Sequence, residues 1–362
     1  MGFKPDSMMQ TQSIKLNGII YNSGNTDKLF IDSEPKSPWQ SAISDFLQNW
    51  FDDTDSVPAQ TSGSTGIPKN ILLSKQCMIN SARMTNQFFG LNSESIALLC
   101  LPASYIAGKM MLVRALVGGY DLICVEPKAN PFEDIHSKID FAAITPYQLN
   151  YSAETLKTKT VSNIIVGGGH VNTKQEEIAA KIPAAMYETY GMTETCSHIA
   201  LRRFNGENKS EYFKILNGVS IRKDERECLV INAPHLSENE IITNDIVEIF
   251  NQNSFRWSGR FDMVINSGGI KIHPESVEKK LAGFIPAAFF ISAQPDKILG
   301  EKVILVIEST EYTDIQKNEL NEAFEKLLSK YEIPKKVYFV KQFVYSTSNK
   351  ILRKETLSKI IG

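Results

Sequence analysis

The order of apolar and polar positions divides the chain into a long alternating stretch and a shorter tail of different texture. Trp39, Ile43, Phe46, Leu47 and Trp50 recur at helical spacing behind a Ser37-Pro38 start signal, so a helix is expected over 38–51. The weakly alternating segment before it reads as an edge strand. Short apolar runs then alternate with amphipathic stretches. Strands are expected over 70–73, 96–101, 120–125, 141–144, 163–166 and 185–189, and helices over 74–89, 109–117 and 173–181. That alternation predicts a parallel, layered α/β domain. After Arg202, short alternating segments near Ile215 and over 219–222, 228–231 and 247–250 predict an antiparallel β subdomain. From Asp262 a helix (274–282), two strands (287–292, 303–308), a helix (314–331) and a strand (336–340) form a separate α/β pattern. The expected fold class is therefore α/β. A large N-terminal domain over 1–261 carries the β subdomain, and a small C-terminal domain spans 262–362.

Composition narrows the field. The chain has 362 residues, 42% of them hydrophobic and 22% charged, which is globular and longer than the roughly 250–300 residues one core supports. A net charge of −2 argues against a nucleic-acid or anionic-membrane surface, while leaving room for a local basic site. The five cysteines are odd in number and hold no Cys-x-x-Cys pair, so neither a zinc knuckle nor a disulfide framework is expected. Their apolar flanks suggest buried free thiols in a reducing compartment. No apolar run follows the first charged residues as a secretory leader would require, and the stretches 95–102 and 283–293 fall short of the roughly 20 residues that span a bilayer. A cytoplasmic protein without a membrane span is expected.

The strongest local signal is Thr61-Ser62-Gly63-Ser64-Thr65-Gly66-Ile67-Pro68-Lys69. Glycines let successive N–H groups face an anion, hydroxyls add donors, and the lysine adds charge. The spacing is not that of a Walker loop, because Pro68 precedes the lysine and a strand, not a helix, follows. The segment resembles the phosphate loop of the adenylate-forming superfamily, which includes acyl-CoA ligases, luciferases and peptide-synthetase adenylation domains. Four further motifs of that superfamily follow in order: Tyr190-Gly191-Met192-Thr193-Glu194-Thr195, Thr243-Asn244-Asp245, Gly259-Arg260-Phe261-Asp262 with Gly268-Gly269, and Asn349-Lys350-Ile351-Leu352-Arg353. Taken singly, Glu194 fits a surface charge, Tyr190 a core aromatic and Lys350 a solvated lysine; their joint order gives them weight. Asn244 and Asn349 stand where the family has glycine, mild changes because asparagine tolerates positive φ.

The resemblance implies ATP, Mg²⁺ and CoA as cofactor and co-substrates. It gives Thr61, Ser62, Gly63, Ser64, Thr65, Gly66 and Lys69 to the phosphates. It gives Glu194 to the magnesium ion, Thr193 to the α-phosphate, Tyr190 and Gly167, Gly168 and Gly169 to the base, and Asp245 and Arg260 to the ribose. Lys350 bridges the acid and the α-phosphate, and Asp262 is the hinge of a mobile C-terminal domain. No general base is needed, because a carboxylate is already a nucleophile at neutral pH. Family members include homodimers, although nothing in the pattern marks an interface.

The stretch Leu101-Pro102-Ala103-Ser104-Tyr105-Ile106-Ala107-Gly108-Lys109 resembles the family's acyl-pocket motif, with Tyr105 at its aromatic position. No acidic residue that could meet an amino group lies between Leu101 and Arg114; Lys109 and Arg114 lie there instead. A basic wall suits an acid with a second carboxylate, and Lys109 is the candidate, with a solvated helix lysine as the alternative. His170 either faces the same pocket or caps the following helix. The stretch and the short chain resemble the o-succinylbenzoate–CoA ligases of menaquinone synthesis. Another aryl- or acyl-CoA ligase, a non-catalytic nucleotide binder and a carrier-loading module remain alternatives.

Overall fold

The structure, a computed structural model, describes residues 12–31, 35–60, 70–345 and 351–360. The hairpin β1 (Ser13–Leu16) and β2 (Ile19–Asn22) precedes helix α1 (Pro38–Phe51). The expected start of α1 is confirmed: the Ser37 N–H donates to Gln40 Oε1 at 2.9 Å, which closes the free end of the first turn. β3 (Ser56–Gln60) and β4 (Asn70–Ser74) form their own antiparallel pair, and β4 leads directly into α2 (Lys75–Phe89).

There follow β5 (Ile96–Leu99), α3 (Ile106–Gly118), β6 (Asp121–Cys124), β7 (Ile139–Ile144), α4 (Pro146–Leu156), β8 (Val161–Val166), α5 (Thr173–Ala179) and β9 (Ala185–Gly191). Strands β5 to β9 pair in parallel in the order β6-β5-β7-β8-β9. Alternate side chains face opposite layers. Leu99, Phe141 and Ile165 join the core under α2 and α3, while Leu98, Ala142, Ile144, Ile164 and Val166 join the core under α4 and α5. Covering both faces is why these strands read as continuous apolar runs.

The segments after Arg202 are strands, as expected, and they extend the sheet of the domain that carries them. β10 (His198–Arg203), β11 (Phe213–Ile215), β12 (Ser220–Lys223), β13 (Cys228–Asn232), β14 (Ile241–Asn251) and β15 (Ser254–Arg260) continue the same 13-stranded sheet in antiparallel fashion. From β16 (Ile265–Ser267) onward a second sheet forms with its own core. It contains β17 (Ile270–Ile272), β18 (Phe289–Asp296), β19 (Gly300–Glu308) and β20 (Lys336–Val340). α6 (Pro274–Leu281), α7 (Asp314–Leu327) and the short α8 (Arg353–Ser358) belong to the same part of the chain, with Val277, Leu281, Leu320 and Phe324 packing into that core.

One expectation is overturned. Cys77, in the first turn of α2, and Cys196, at the end of the short 3-10 turn Thr193–Thr195, are joined in a disulfide across 119 residues of sequence. Cys100, Cys124 and Cys228 are the buried free thiols that were expected. Burial pushes the Cys100 thiol up to about 12, so it is protonated at neutral pH. No helix among the described residues is long and apolar enough to cross a membrane.

Candidate active site

The candidate site lies where β8 and β9 end, beside the middle of β14 and β15. The loop after β8 carries Gly167, Gly168 and Gly169. A Cβ at Gly167 would lie 2.5 Å from Thr189 Oγ1, so only glycine lets this loop lie against β9 and leaves its backbone open to a flat ligand. At the next position along β9, the Tyr190 hydroxyl donates to Asp245 Oδ2 at 2.6 Å. Trp257 Nε1 donates to Asp245 Oδ1 at 3.2 Å from the neighbouring strand β15. Both carboxylate oxygens are thereby aimed, and each keeps a lone pair for a further donor such as a ribose hydroxyl. Burial, with the Asp245 charge beside it, raises the Tyr190 phenol well above its ordinary range and keeps it a donor. Trp257 escaped the sequence reading although it stands in the motif that supplied Arg260, because an aromatic on a strand carries no separate signal.

His170 follows the triple glycine. Its Nδ1 lies 2.7 Å from Glu188 Oε1, and its ring lies 5.6 Å from that of Trp257. It therefore borders the Tyr190–Asp245–Trp257 group. Glu188 is buried and is also held by Arg202, whose Nε donates at 2.8 Å. Burial pushes the Glu188 carboxyl up, but the His170 hydrogen bond and the His170 and Arg202 charges outweigh this and hold it below the usual carboxylate range. Arg260 pairs with Asp262 through two hydrogen bonds of 2.8 and 2.9 Å, beside its register partner Asp245.

Beyond β9 the chain reverses through the Thr193–Thr195 turn. Thr195 Oγ1 accepts from the Met192 N–H at 3.0 Å and donates to Ser197 O, which leaves Glu194 exposed to solvent. Glu194 has no ion-pair partner among the described residues, and no cluster of three or more His, Cys, Asp or Glu ligands forms there. A lone hard carboxylate fits a magnesium ion that takes its other oxygens from phosphates and water. It would not suit a zinc site.

The acid-pocket residues separate. Tyr105 caps α3. Lys109 is half-buried and donates to Pro58 O, with Phe46 beneath its ammonium, so it faces β3. Arg114, five residues further along α3, is only 2% exposed. Its Nη2 donates to Ser197 Oγ at 2.7 Å, Nη1 approaches Met111 Sδ at 3.6 Å, and Nε has no partner among the described residues. Its buried neighbour His198 is kept neutral, its pKa lowered well below normal by burial and by the Arg114 charge. Neither cation meets a carboxylate among the described residues; Lys109 is engaged with a backbone carbonyl near the surface, whereas Arg114 is the one buried with a donor unpaired. The loop from Thr61 to Lys69, and Lys350, lie outside the described residues.

Residues 18–226 match the family of AMP-binding enzymes, and the chain belongs to that family. It is 34% identical to an acyl-CoA synthetase (AMP-forming)/AMP-acid ligase II-like protein from Dyadobacter fermentans, over 94% of this chain and 98% of that one, with a TM-score of 0.61. It is 25% identical to the 2-succinylbenzoate–CoA ligase of Enterococcus faecalis, over 90% of this chain and 74% of that protein. It is 27% identical to the enzyme of that name from Staphylococcus epidermidis, over 83% of this chain and 69% of that protein. The o-succinylbenzoate coenzyme A synthetase from Bacillus subtilis, solved with ATP and magnesium ion, shares the fold at 22% identity, with a TM-score of 0.69 over 83% of this chain and 69% of that one. The chain is an AMP-forming ligase.

Proposed function

We propose that this ligase activates o-succinylbenzoate, an aromatic acid with two carboxylates, and transfers it to CoA. The ligases to which it is similar take their name from that acid. The observation that carries the choice of acid is the buried Arg114 guanidinium with no carboxylate beside it among the described residues. Burying a lone guanidinium is costly, and a substrate carboxylate offsets that cost only while bound. A monocarboxylic acid would spend its one carboxylate on the reaction and leave Arg114 unpaired.

In the first step an oxygen of the other carboxylate bonds to the α-phosphorus of ATP. The bond from that phosphorus to the β-bridging oxygen breaks, and pyrophosphate leaves. In the second, the CoA sulfur bonds to the acyl carbon and AMP leaves. Asp245, set by Tyr190 and Trp257, holds the ribose. The glycine loop lies along the base, with His170 at its rim. Thr61 to Lys69 hold the outer phosphates and Thr193 the α-phosphate. Lys350 draws acid and phosphate together. Glu194 would hold magnesium, which neutralises phosphate charge when bound. The C-terminal part pivots at Asp262 between the steps, with release of the Arg260–Asp262 pair freeing Arg260 for the ribose. The test is acid-dependent ATP–pyrophosphate exchange over a panel led by o-succinylbenzoate, with CoA added to the best acid. Exchange confined to monocarboxylic acids would refute the choice of substrate.

A further inference from the structure

The turn given to the nucleotide above is tied covalently to the first turn of α2. Cys196 directly follows the Thr193–Thr195 turn that presents Glu194. Cys77 lies in the first turn of α2, which follows β4 without a break, and β4 itself follows the loop from Thr61 to Lys69. At Cys196 the backbone has φ of +58° and ψ of −36°, a conformation side-chain-bearing residues rarely hold unless their surroundings impose it. Here the surroundings are the bond to Cys77 and the Ser197 contact with Arg114. The remaining thiols do not compete: Cys100, Cys124 and Cys228 are all buried, and burial raises each of their pKa values.

We propose that the Cys77–Cys196 pair is a reversible redox site and that its oxidised form holds the Thr193–Glu194 turn ready for magnesium–ATP. The inference rests on the assignment of that turn to the nucleotide. Cys77 is half-buried and within reach of a small disulfide such as oxidised glutathione, whereas Cys196 is buried. The Cys77 thiolate attacks one glutathione sulfur, forming a mixed disulfide and releasing one glutathione thiolate. The Cys196 thiolate then attacks Cys77 Sγ and releases the second. Two cysteine thiols are oxidised, one glutathione disulfide is reduced to two thiols, and both protons pass to the glutathione. Reduction reverses the sequence. Without the bond the turn samples conformations that lack the +58° backbone, and the apparent affinity for ATP falls by the fraction that remains competent.

The experiment holds the full chain in oxidised glutathione or in excess dithiothreitol. Differential alkylation with mass spectrometry locates the bond, and ATP–pyrophosphate exchange gives KM for ATP and for the acid. The expected result is alkylation of Cys77 and Cys196 only after reduction, with KM for ATP about three- to tenfold higher in the reduced enzyme and KM for the acid little changed. Cys196→Ala and Cys77→Ser should both match the reduced enzyme and ignore the oxidant; the second alters only the half-buried helix position, so it guards against a folding defect in the first. Equal KM for ATP in two forms of verified bond state would overturn the proposal, as would failure of the bond to form under oxidant. Exchange that proceeds but ignores redox state sinks this inference alone, whereas no exchange in either form sinks the functional assignment and this inference with it.

Discussion

Replacing Arg114 with methionine separates the cost of a buried cation from its use. Burial pulls the guanidinium pKa down from its ordinary value to about 10. At about 1.4 kcal/mol per unit, the ligand-free fold carries roughly 3 kcal/mol against the charged form. The native state binds fewer protons than the unfolded chain between those values. The penalty is therefore complete below pH 10 and lifts as pH rises toward the ordinary guanidinium range. Methionine fills similar volume without charge but gives up the Ser197 hydrogen bond, worth about 1 kcal/mol. Ligand-free Arg114→Met should therefore be more stable than the parent by about 1–2 kcal/mol, a rise of a few degrees in Tm. With o-succinylbenzoate the order reverses: the parent gains stability and the variant does not, and KM for the acid should rise by about 30-fold or more while KM for ATP stays within about twofold. Lys109→Ala is the control. Its ammonium is engaged with Pro58 O, so KM for the acid should change by no more than about threefold. Thermal melts with and without acid, together with exchange kinetics, decide the matter. A variant that loses stability without ligand and keeps its KM for the acid would refute the reasoning, because Arg114 would then be a structural residue with a partner.

Tyr190→Phe removes one of the two donors that aim Asp245; exchange assays should give a KM for ATP about five- to tenfold higher, with the KM for the acid unaffected. Lys350→Ala should slow acyl-adenylate formation by about 100-fold or more while supplied acyl-adenylate still reacts with CoA, and an equal loss in both half-reactions would show the lysine serving another step. Glu188→Gln leaves the buried Arg202 guanidinium with Glu176 as its remaining carboxylate and should lower stability by about 1–2 kcal/mol in urea titrations. The Glu188 carboxyl titrates below its unfolded value of 4.5, so its stabilisation is present above that pH and is lost as the pH falls through the folded value. The parent should lose stability over that window more steeply than the variant.

What could be read in the sequence, and what could not, follows from the range of the interactions. The strands at 141–144 and 163–166 were legible because residues covered on both faces leave an unbroken apolar run. α4 was missed because its outer face exposes Tyr147 and Tyr151, which blurs the helical stripe, even though Thr145 and Gln148 cap it. α3 was expected to begin three residues late because Gly108 reads as a breaker; in the fold a Cβ there would lie 2.3 Å from Pro102 O, so the glycine serves packing, not interruption. The antiparallel β subdomain was legible, but its continuity with the parallel strands was not, because the pairing of β9 with β10 and of β11 with β15 leaves no local mark. The site was readable where ordered motifs supply it, as at Tyr190 and Asp245, since such positions need particular residue types in a set order. It was unreadable where burial alone gives the role. Lys109 and Arg114 lie five residues apart on one helix and look equivalent as charges, yet one meets a carbonyl near the surface and the other lies in the core. The Cys77–Cys196 bond lies still further from view, since the even count expected of a disulfide framework presumes that every cysteine takes part, and here three of five do not.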